Sequence, residues 1–219
     1  MERKQGSTPA FFIKRIYTNQ LLLNNTPRWC LWLKNARPEE LRKMPLVTER
    51  LSLVKQTRLN SPKASTKKWA EFPALFTEDR QPDSDYLLIP VTTSERRKYI
   101  PIIFASKDII CNNSCLLIPE ANFFHFGVLH SLMHMSWVKI VSGRMKSDYQ
   151  YSNTIVYNNF PWPENPSDKQ KEAVEKAAQA VLDARAVFQN PPLGGRGASL
   201  ADLYDPNTMP PVLVKAHQA

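Results

Sequence analysis

The sequence predicts an α+β fold: a mixed-strand domain with a central buried helix, followed by a small helical C-terminal region. Up to about residue 163, short runs rich in Ile, Leu and aromatic residues are bounded by prolines and turn residues, as is typical of strands. Beyond that point the pattern changes to Ala, Lys, Glu and Val at helical spacing. With 219 residues, 42% of them hydrophobic, the chain is long enough to bury a core.

The first 70 residues are predominantly basic and polar. Residues 1–27 surround one apolar patch at 21–23, and we expect them to be a lead-in from an upstream domain. The run RWCLWL at 28–33 predicts a strand, and Pro38, with two acids after it, predicts the start of a helix. Residues 55–70 mix Lys and Arg with Ser, Thr and Pro, which indicates a surface segment able to follow a phosphate backbone.

The middle of the chain predicts strands at 86–90, 99–104 and 109–119, and a long helix after them. Residues 122–141 are apolar on nearly every face and contain no proline, which favours one buried helix. We expect this helix to be capped near Asn122 and ended by Gly143. A further extended run is predicted at 155–162, where it stops in a proline-rich turn.

The last part of the chain predicts helices. Ser167 and Gln170 form a capping box for a helix over 167–188, and glycines 194, 195 and 197 then interrupt the pattern. Short helical pieces follow at 200–204 and 210–219, and we expect the chain to stop inside the second one because no helix-stop signal follows. The predicted organisation is therefore a lead-in at 1–27, a mixed domain at 28–163 and a helical region at 164–219.

Composition favours a polyanionic partner and a cytoplasmic location. Lys and Arg exceed Asp and Glu by 29 to 20, which gives a net charge of +9, although such a charge is also found where it serves only solubility. Three cysteines, Cys30, Cys111 and Cys115, are too few for a disulfide scaffold and indicate reduced thiols. The sequence shows neither a signal peptide nor a stretch apolar enough for a membrane span, so we expect no membrane partner.

Two patterns in the sequence resemble catalytic motifs, but each lacks a residue that the corresponding motif requires. Amino-group DNA methyltransferases follow Asn-Pro-Pro with an aromatic ring that stacks on the flipped base, whereas Leu193 follows Asn190-Pro191-Pro192 here. That string also follows a helix, and no glycine-rich cofactor loop precedes it. We expect it to be a helix-ending loop.

His130 and His134 are one helical turn apart, which suits a shared metal ion. The residue after His130 is Ser131, where the HExxH pattern requires Glu, and no CxxC occurs in the sequence. Histidines on an apolar helix are more often core residues bonded to a carbonyl. We therefore expect no metal ion in this chain, with a small methyltransferase-like or metal enzyme as an alternative.

The segment GRMKSDYQYS at 143–152 is the strongest candidate for a recognition surface. If it is one extended strand, Arg144, Lys146, Asp148 and Gln150 share one face, opposite Met145, Ser147, Tyr149 and Tyr151. Lys donates to guanine O6 and N7, and Asp accepts from cytosine N4, so this pair suits one G·C pair in the major groove. On chemistry alone, a solvated hairpin with an ion pair is the simpler interpretation.

From residue 28 onward the chain resembles the MmeI-like restriction-modification enzymes of types IIG and IIL. These enzymes combine an endonuclease, an adenine-N6 methyltransferase and a target-recognition domain in one chain. The resemblance rests on motifs in family order: RWCLWL at 28–33, IP-x-T-T-S-E-R-R-x-Y-I-P-I at 89–102, FHFGVLHSLMHMSW at 124–137, SGRMKSDYQYS at 142–152, IVYNNFPWP at 155–163, VLDAR at 181–185 and SLADLYDPNTMPP at 199–211.

The resemblance implies roles for individual residues. Lys146 and Asp148 stand at a covarying pair that selects one base pair, and Lys with Asp implies G on the methylated strand. Gln150 occupies a further specificity position, Asn113 and Ser114 fall near its partners by counting back, and Val91 falls in the variable position after Ile-Pro. Contacts to the DNA backbone are expected from residues beside these positions: Ser94, Arg96, Arg97, Arg144 and Ser147.

The methyltransferase and endonuclease regions of such enzymes have no counterpart in these 219 residues. We therefore expect this chain to have no catalytic residues and no cofactor of its own, with S-adenosylmethionine and Mg²⁺ serving the parent enzyme. The implied partners are double-stranded DNA and the methyltransferase domain of the parent chain. The alternative from another class is a basic protein-interaction module without DNA specificity.

Overall fold

The computed structural model describes residues 8–190 and 197–218. Its helices are α1 (Asn19–Asn24), α2 (Pro38–Arg42), α3 (Pro45–Leu59), α4 (Ala64–Lys68), α5 (Phe123–Leu129), α6 (Leu132–Val141), α7 (Asp168–Gln189), α8 (Leu200–Leu203) and α9 (Pro211–Gln218). Its strands are β1 (Ile13–Tyr17), β2 (Trp29–Leu31), β3 (Tyr86–Pro90), β4 (Thr92–Thr93), β5 (Ile103–Ala105), β6 (Ile110–Cys111), β7 (Cys115–Pro119), β8 (Gly143–Met145) and β9 (Asp148–Gln150). This mixture confirms the predicted α+β class.

The chain divides into two compact units. The first contains the described residues up to Arg15 together with Trp29–Gln81, and the second contains Ile16–Arg28 and the described residues from Pro82 onward. Each unit has its own buried core. Within residues 8–190 and 197–218, no helix is long and apolar enough to cross a membrane.

The first unit packs α2 and α3 beside a two-stranded ladder. Residues 13–15 of β1 pair antiparallel with β2, which confirms the strand predicted at 28–33. The helix predicted at Pro38 is also confirmed, with Pro38 in the first turn and Glu40 accepting from the Arg37 N–H at 2.8 Å. The core of this unit is formed by four side chains: Phe12, Leu33, Met44 and Val47.

Arg58, at the end of α3, holds the chain segment that follows α4 and so fixes the corner between α3 and that segment. Its guanidinium donates to three backbone carbonyls that follow α4, those of Trp69 at 2.8 Å, Phe72 at 2.8 Å and Leu75 at 2.7 Å. Partial burial lowers the pKa of Arg58 from its ordinary value. The basic segment 55–70 is thus largely helical, being formed by the end of α3 and by α4.

The second unit is organised around β3, which is buried along its whole length between β5 and β7. Both neighbours run antiparallel to β3, which confirms the strand predicted at 86–90. The strand predicted at 99–104 starts only at Ile103; the earlier start was wrong because Pro101 has no N–H to donate to a ladder. The run 109–119 divides into β6 and β7, with a turn at 112–114.

The long helix predicted at 122–141 is two helices. Ser131 ends α5 and begins α6, because its hydroxyl donates to the Val128 carbonyl at 2.7 Å and accepts from the His134 N–H at 3.1 Å. The predicted cap at Asn122 is confirmed, with its side chain accepting from the His125 N–H. The prediction of a fully buried helix was wrong for α6, where Ile140 is 82% exposed.

The extended run predicted at 155–162 was also wrong. Residues Asn153–Tyr157 form a π-helical turn, and the Ser152 hydroxyl accepts from the Ile155 N–H at 3.4 Å. The turn is attached to α6 because the Trp137 indole donates to the Val156 carbonyl at 2.9 Å. Aromatic packing and side-chain caps, which strand propensity does not anticipate, thus decide the conformation here.

The C-terminal helices agree with the sequence prediction. Ser167 and Gln170 form the predicted capping box of α7, and α8 and α9 match the two short helical pieces. α5 approaches α7 closely at Gly127, where a Cβ would lie 2.6 Å from Cγ1 of Val174. Only glycine fits that contact without displacement of the neighbouring helix. The predicted interruption at glycines 194 and 195 lies outside the described residues.

Candidate nucleic-acid interface

Residues 143–152 form a β-hairpin. Strand β8 pairs antiparallel with β9, with Gly143 opposite Gln150, Arg144 opposite Tyr149 and Met145 opposite Asp148. Lys146 and Ser147 form the turn, and Lys146 has a φ of 58°. This left-handed conformation favours glycine, so Lys146 holds its exposed position at a conformational cost.

The hairpin changes which side chains share a face. Residues directly opposite each other in an antiparallel pair project to the same side, so Met145, Asp148 and Gln150 lie together. Arg144 lies on the other side, with its guanidinium 3.9 Å over the Tyr149 ring and a 2.8 Å hydrogen bond to the Ser147 carbonyl. The faces predicted for one extended strand were therefore wrong for Arg144 and Met145, because the turn reverses the chain between Met145 and Asp148.

Buried tyrosines anchor the hairpin. Tyr149 is 6% exposed and Tyr151 is 2% exposed. The Tyr151 hydroxyl lies 2.9 Å from Nε2 of His134, which is itself fully buried on α6. Burial lowers the pKa of His134 to about 4, so its imidazole is neutral at physiological pH. The hairpin is thus held by a rigid aromatic base beneath its exposed side chains.

The loop after β4 contacts β9, the strand of the hairpin that lies between β4 and β8. The Glu95 N–H donates to Oδ1 of Asp148 at 3.3 Å, which orients that carboxylate. Arg97 is half-buried, and its Nε has no hydrogen-bond partner among the described residues. Burial lowers the pKa of Arg97, while Asp148 and Asp205 act in the opposite direction. The loop therefore places cationic charge near the Asp148 carboxylate.

The other two residues predicted beside this loop differ in exposure. Arg96 is exposed, and its guanidinium approaches the Asp205 carboxylate at 3.9 Å. The Ser94 hydroxyl accepts from the Arg96 N–H at 3.4 Å, and the Ser94 carbonyl accepts from the Arg97 N–H at 3.1 Å. Ser94 thus shapes the turn that presents both arginines.

Backbone hydrogen bonds join three of the predicted positions. The Val91 N–H donates to the Ser114 carbonyl at 3.0 Å, and the Tyr151 N–H donates to the Val91 carbonyl at 2.7 Å. Gln150 is exposed and pairs with Thr92 of β4. The structure therefore brings Val91, Ser114 and Gln150 together, although they are far apart in sequence.

Asn113 and Ser114 differ in their freedom to contact a ligand. Asn113 is exposed at the tip of the turn. The Ser114 hydroxyl donates to Oδ1 of Asn112 at 2.6 Å and accepts from the Asn19 N–H at 2.8 Å. Ser114 is thus engaged within the protein, and Asn113 is the more accessible of the two.

Asn19 was not among the residues predicted from the sequence. Its backbone N–H binds Ser114, and its Nδ2 donates to the Thr92 carbonyl at 3.2 Å. Its Oδ1 is buried without a hydrogen-bond partner among the described residues. Asn19 therefore links β4 to the 112–114 turn across 73 and 95 residues of sequence, a separation for which no local pattern is informative.

The two histidines considered for a metal ion are bonded to tyrosines instead. His134 contacts Tyr151, and Nε2 of His130 lies 2.9 Å from the hydroxyl of Tyr204. Arg185 is fully buried beside His130, and burial together with this cation lowers the pKa of His130. Among the described residues, no cluster of three or more His, Cys, Asp or Glu side chains is placed to hold a metal ion. In the Asn-Pro-Pro-Leu string, residues 191–193 lie outside the described residues.

The chain is similar to proteins of known structure and function. Residues 1–164 match the family described as MmeI, target recognition domain, and residues 166–219 match MmeI, C-terminal domain. DNA methyltransferase A of Bacillus subtilis (strain 168) is 37% identical over 207 residues, which is 94% of this chain and 22% of that protein.

Among solved structures, the type IIL restriction-modification enzyme MmeI in complex with DNA matches with a TM-score of 0.89 and 46% sequence identity. That match covers 94% of this chain and 27% of the other. The chain thus spans about a quarter of the length of the relatives that it matches.

Proposed function

This chain belongs to the MmeI family, and from that membership we propose that it recognises a specific sequence of double-stranded DNA through the major groove. The observation that carries the proposal is the hairpin at 143–152. It presents Lys146 and Gln150 to solvent, with a half-buried Asp148, above the buried rings of Tyr149 and Tyr151. A two-stranded β-ribbon fits the width of the major groove, where each base pair has a distinct pattern of donors and acceptors.

Lys146 and Asp148 are complementary to one G·C pair. The ammonium of Lys146 donates to O6 and N7 of guanine, and the carboxylate of Asp148 accepts from N4 of cytosine. The Glu95 N–H orients the carboxylate, and Arg97 places positive charge near it. An arrangement that is fixed before binding loses little entropy when DNA arrives.

The neighbouring positions extend the recognised sequence. Gln150 carries an amide that suits adenine N6 and N7, and Asn113 carries the same group at the exposed tip of the 112–114 turn. Val91 has no side-chain donor or acceptor and offers a surface for a thymine methyl group. We propose Ser114 as a member of this set that acts mainly through its hydrogen bonds to Asn112 and Asn19.

Contacts to phosphates would fix the register of the hairpin on the duplex. Arg96 is an exposed cation of the adjacent loop, and Ser94 and Arg97 lie beside it. Arg144 and Ser147, at the turn of the hairpin, complete the proposed backbone contacts. In this arrangement the Arg144 guanidinium keeps its place over Tyr149 while its outer edge faces the DNA.

We also propose that the chain acts as part of a longer enzyme. The matched relatives are about four times as long, and one is described as a methyltransferase, the other as a restriction-modification enzyme. The proposed parent methylates adenine N6 with S-adenosylmethionine and cleaves DNA with Mg²⁺, and its methyltransferase domain packs against this chain. These 219 residues contribute recognition and no catalytic group, with recognition assigned to 28–163 and a helical region to 164–219.

A selection from random duplexes tests the proposal. The 219-residue chain is incubated with a pool of random duplex DNA, and the bound molecules are recovered and sequenced. The proposal predicts an enriched motif that contains one G·C pair lost in the Lys146→Ala/Asp148→Ala variant. The matched control, Lys176→Ala/Asp183→Ala on the exposed side of α7, keeps the motif. Bound DNA without any enriched motif would contradict sequence-specific recognition.

A further inference from the structure

Positive charge is concentrated in the first unit of the chain. Its sequence contains 15 Lys and Arg against 7 Asp and Glu, whereas the second unit contains 14 against 13. The first unit therefore has a net charge of +8 out of the total of +9, and the second, which contains the recognition hairpin, is nearly neutral. A segregated charge of this size indicates a separate polyanion-binding surface.

The charge is densest around α4. Between Glu49 and Glu71 the sequence contains six cations and no acid: Arg50, Lys55, Arg58, Lys63, Lys67 and Lys68. Arg58 is used within the fold, because its guanidinium binds three carbonyls. Lys63, Lys67 and Lys68 are exposed, and none of the three makes a side-chain hydrogen bond or ion pair in the part of the chain that the structure describes.

The placement of Lys63 does not favour the helix that begins after it. Lys63 occupies the N-cap of α4 and makes no side-chain cap, where Ser, Thr, Asp or Asn would accept a backbone hydrogen bond. A cation at that end also opposes the helix dipole, and Lys63 repels Lys67 one turn later. An external anion would offset the unfavourable position of Lys63, whereas Lys67 and Lys68 lie in the last turn, where cations suit the helix dipole.

We propose that Lys63, Lys67 and Lys68 of α4 bind the phosphate backbone of duplex DNA and supply sequence-independent affinity. This inference rests on the proposed function, because it assumes DNA as the polyanion. The corner held by Arg58 keeps the three ammonium groups on a fixed scaffold. Each ammonium placed on a phosphate releases condensed counterions, which makes the affinity depend on salt in proportion to the number of contacts.

The salt dependence of binding tests the inference. Fluorescence anisotropy with a labelled random-sequence duplex gives the observed association constant of the 219-residue chain at several KCl concentrations. The slope of log K against log [KCl] should become shallower by about 1 for each lysine lost, hence by about 3 in Lys63→Gln/Lys67→Gln/Lys68→Gln. The charge-preserving variant Lys63→Arg/Lys67→Arg/Lys68→Arg should keep the original slope.

The matched control removes the same charge elsewhere. Lys169→Gln/Lys171→Gln/Lys176→Gln changes three exposed lysines of α7 and should leave the slope within about 1 of the original. An equal reduction in both variants would show that net charge alone matters and would overturn the inference. An unchanged slope in the α4 variant, with DNA binding intact, would also overturn it. If the unmodified chain binds an acidic protein surface and no duplex DNA at low salt, the proposed function fails and this inference fails with it.

Discussion

Nε2 of His134 lies 2.9 Å from the Tyr151 hydroxyl, and both side chains are buried between α6 and the recognition hairpin. This contact connects the helix that is fixed in the core with the strand that presents Gln150. Burial lowers the pKa of His134 to about 4 and raises that of Tyr151, so both groups are neutral in the folded protein.

The first prediction is a loss of stability in mild acid. An imidazole in the unfolded chain titrates near pH 6.5, whereas folded His134 titrates near pH 4. The unfolded chain therefore takes up the proton first, and stability that is present above pH 6.5 is lost as the pH falls towards 4, by at most about 3 kcal/mol. Urea unfolding at pH 7.5, 6.0 and 5.0 measures this change.

The matched variant His134→Phe/Tyr151→Phe removes both polar groups and keeps the rings. It should show a weaker dependence on pH than the unmodified chain, with the remaining part due to His130 and His217, whose pKa values burial also lowers. A free energy of unfolding that is constant between pH 7.5 and 5.0 would show that His134 is not buried as a neutral group.

The second prediction separates stability from recognition at Lys146. Its φ of 58° is costly for a side chain with a Cβ, so Lys146→Gly should raise the free energy of unfolding by about 1 kcal/mol. The same change removes the proposed base contact and should weaken binding of the selected duplex about tenfold or more. Thermal unfolding and anisotropy measure the two effects.

The control is Glu120→Gly, since Glu120 has a φ of 55° and no proposed contact with DNA. It should stabilise the fold and leave affinity unchanged. If Lys146→Gly leaves binding of the selected duplex unchanged, Lys146 does not read a base.

The third prediction concerns Asn19 as a positioning residue. Asn19→Ala removes the hydrogen bond to the Thr92 carbonyl, but it also removes an Oδ1 that is buried without a partner. These effects offset each other, so stability should change by no more than about 1 kcal/mol. The selected motif should become degenerate at the positions that we assign to Val91 and Asn113, while the position that we assign to Lys146 stays fixed.

Gln20→Ala changes the exposed neighbour of Asn19 and should leave the motif intact. Sequencing of DNA bound by both variants provides the comparison. A uniform loss of every position with Asn19→Ala would indicate general unfolding of the site and would contradict a local positioning role.

The fourth prediction concerns the contact between α5 and α7. Gly127→Ala places a Cβ 2.6 Å from Cγ1 of Val174 and should destabilise the fold by about 1–3 kcal/mol. In a Val174→Ala background the same substitution should cost less, because the clashing methyl is gone. Urea unfolding of the four proteins in this cycle measures the coupling, and equal costs in both backgrounds would rule out the contact.

Much of this structure could be predicted from short sequence patterns, because the interactions that form these elements join residues close together in the sequence. Asn122 and Ser167 cap helices through hydrogen bonds within four residues, and β3 is an uninterrupted apolar run. Ser131 was not recognised as a break because its environment is apolar on both sides. The turn at Lys146 and Ser147 contains no glycine or asparagine, the usual signal of a two-residue hairpin, so the residue types left both an extended strand and a solvated hairpin open.

The remaining features depend on long-range contacts. The link from Asn19 to Thr92 and Ser114 is visible only once the chain has folded, and so is the stacking of Arg144 on Tyr149. The donor and acceptor chemistry of Lys146 and Asp148 was available from the residue types alone, and the hairpin supplies its geometry.

The most direct measurement compares the motif selected by the chain with that selected by Lys146→Glu/Asp148→Arg. The exchange reverses donor and acceptor, so one position of the motif should change from G to C while the others stay the same. Either single substitution should lose binding without a new preference, because it leaves a mismatched group at the base edge. An identical motif from the double variant would contradict the assignment of Lys146 and Asp148 to that base pair.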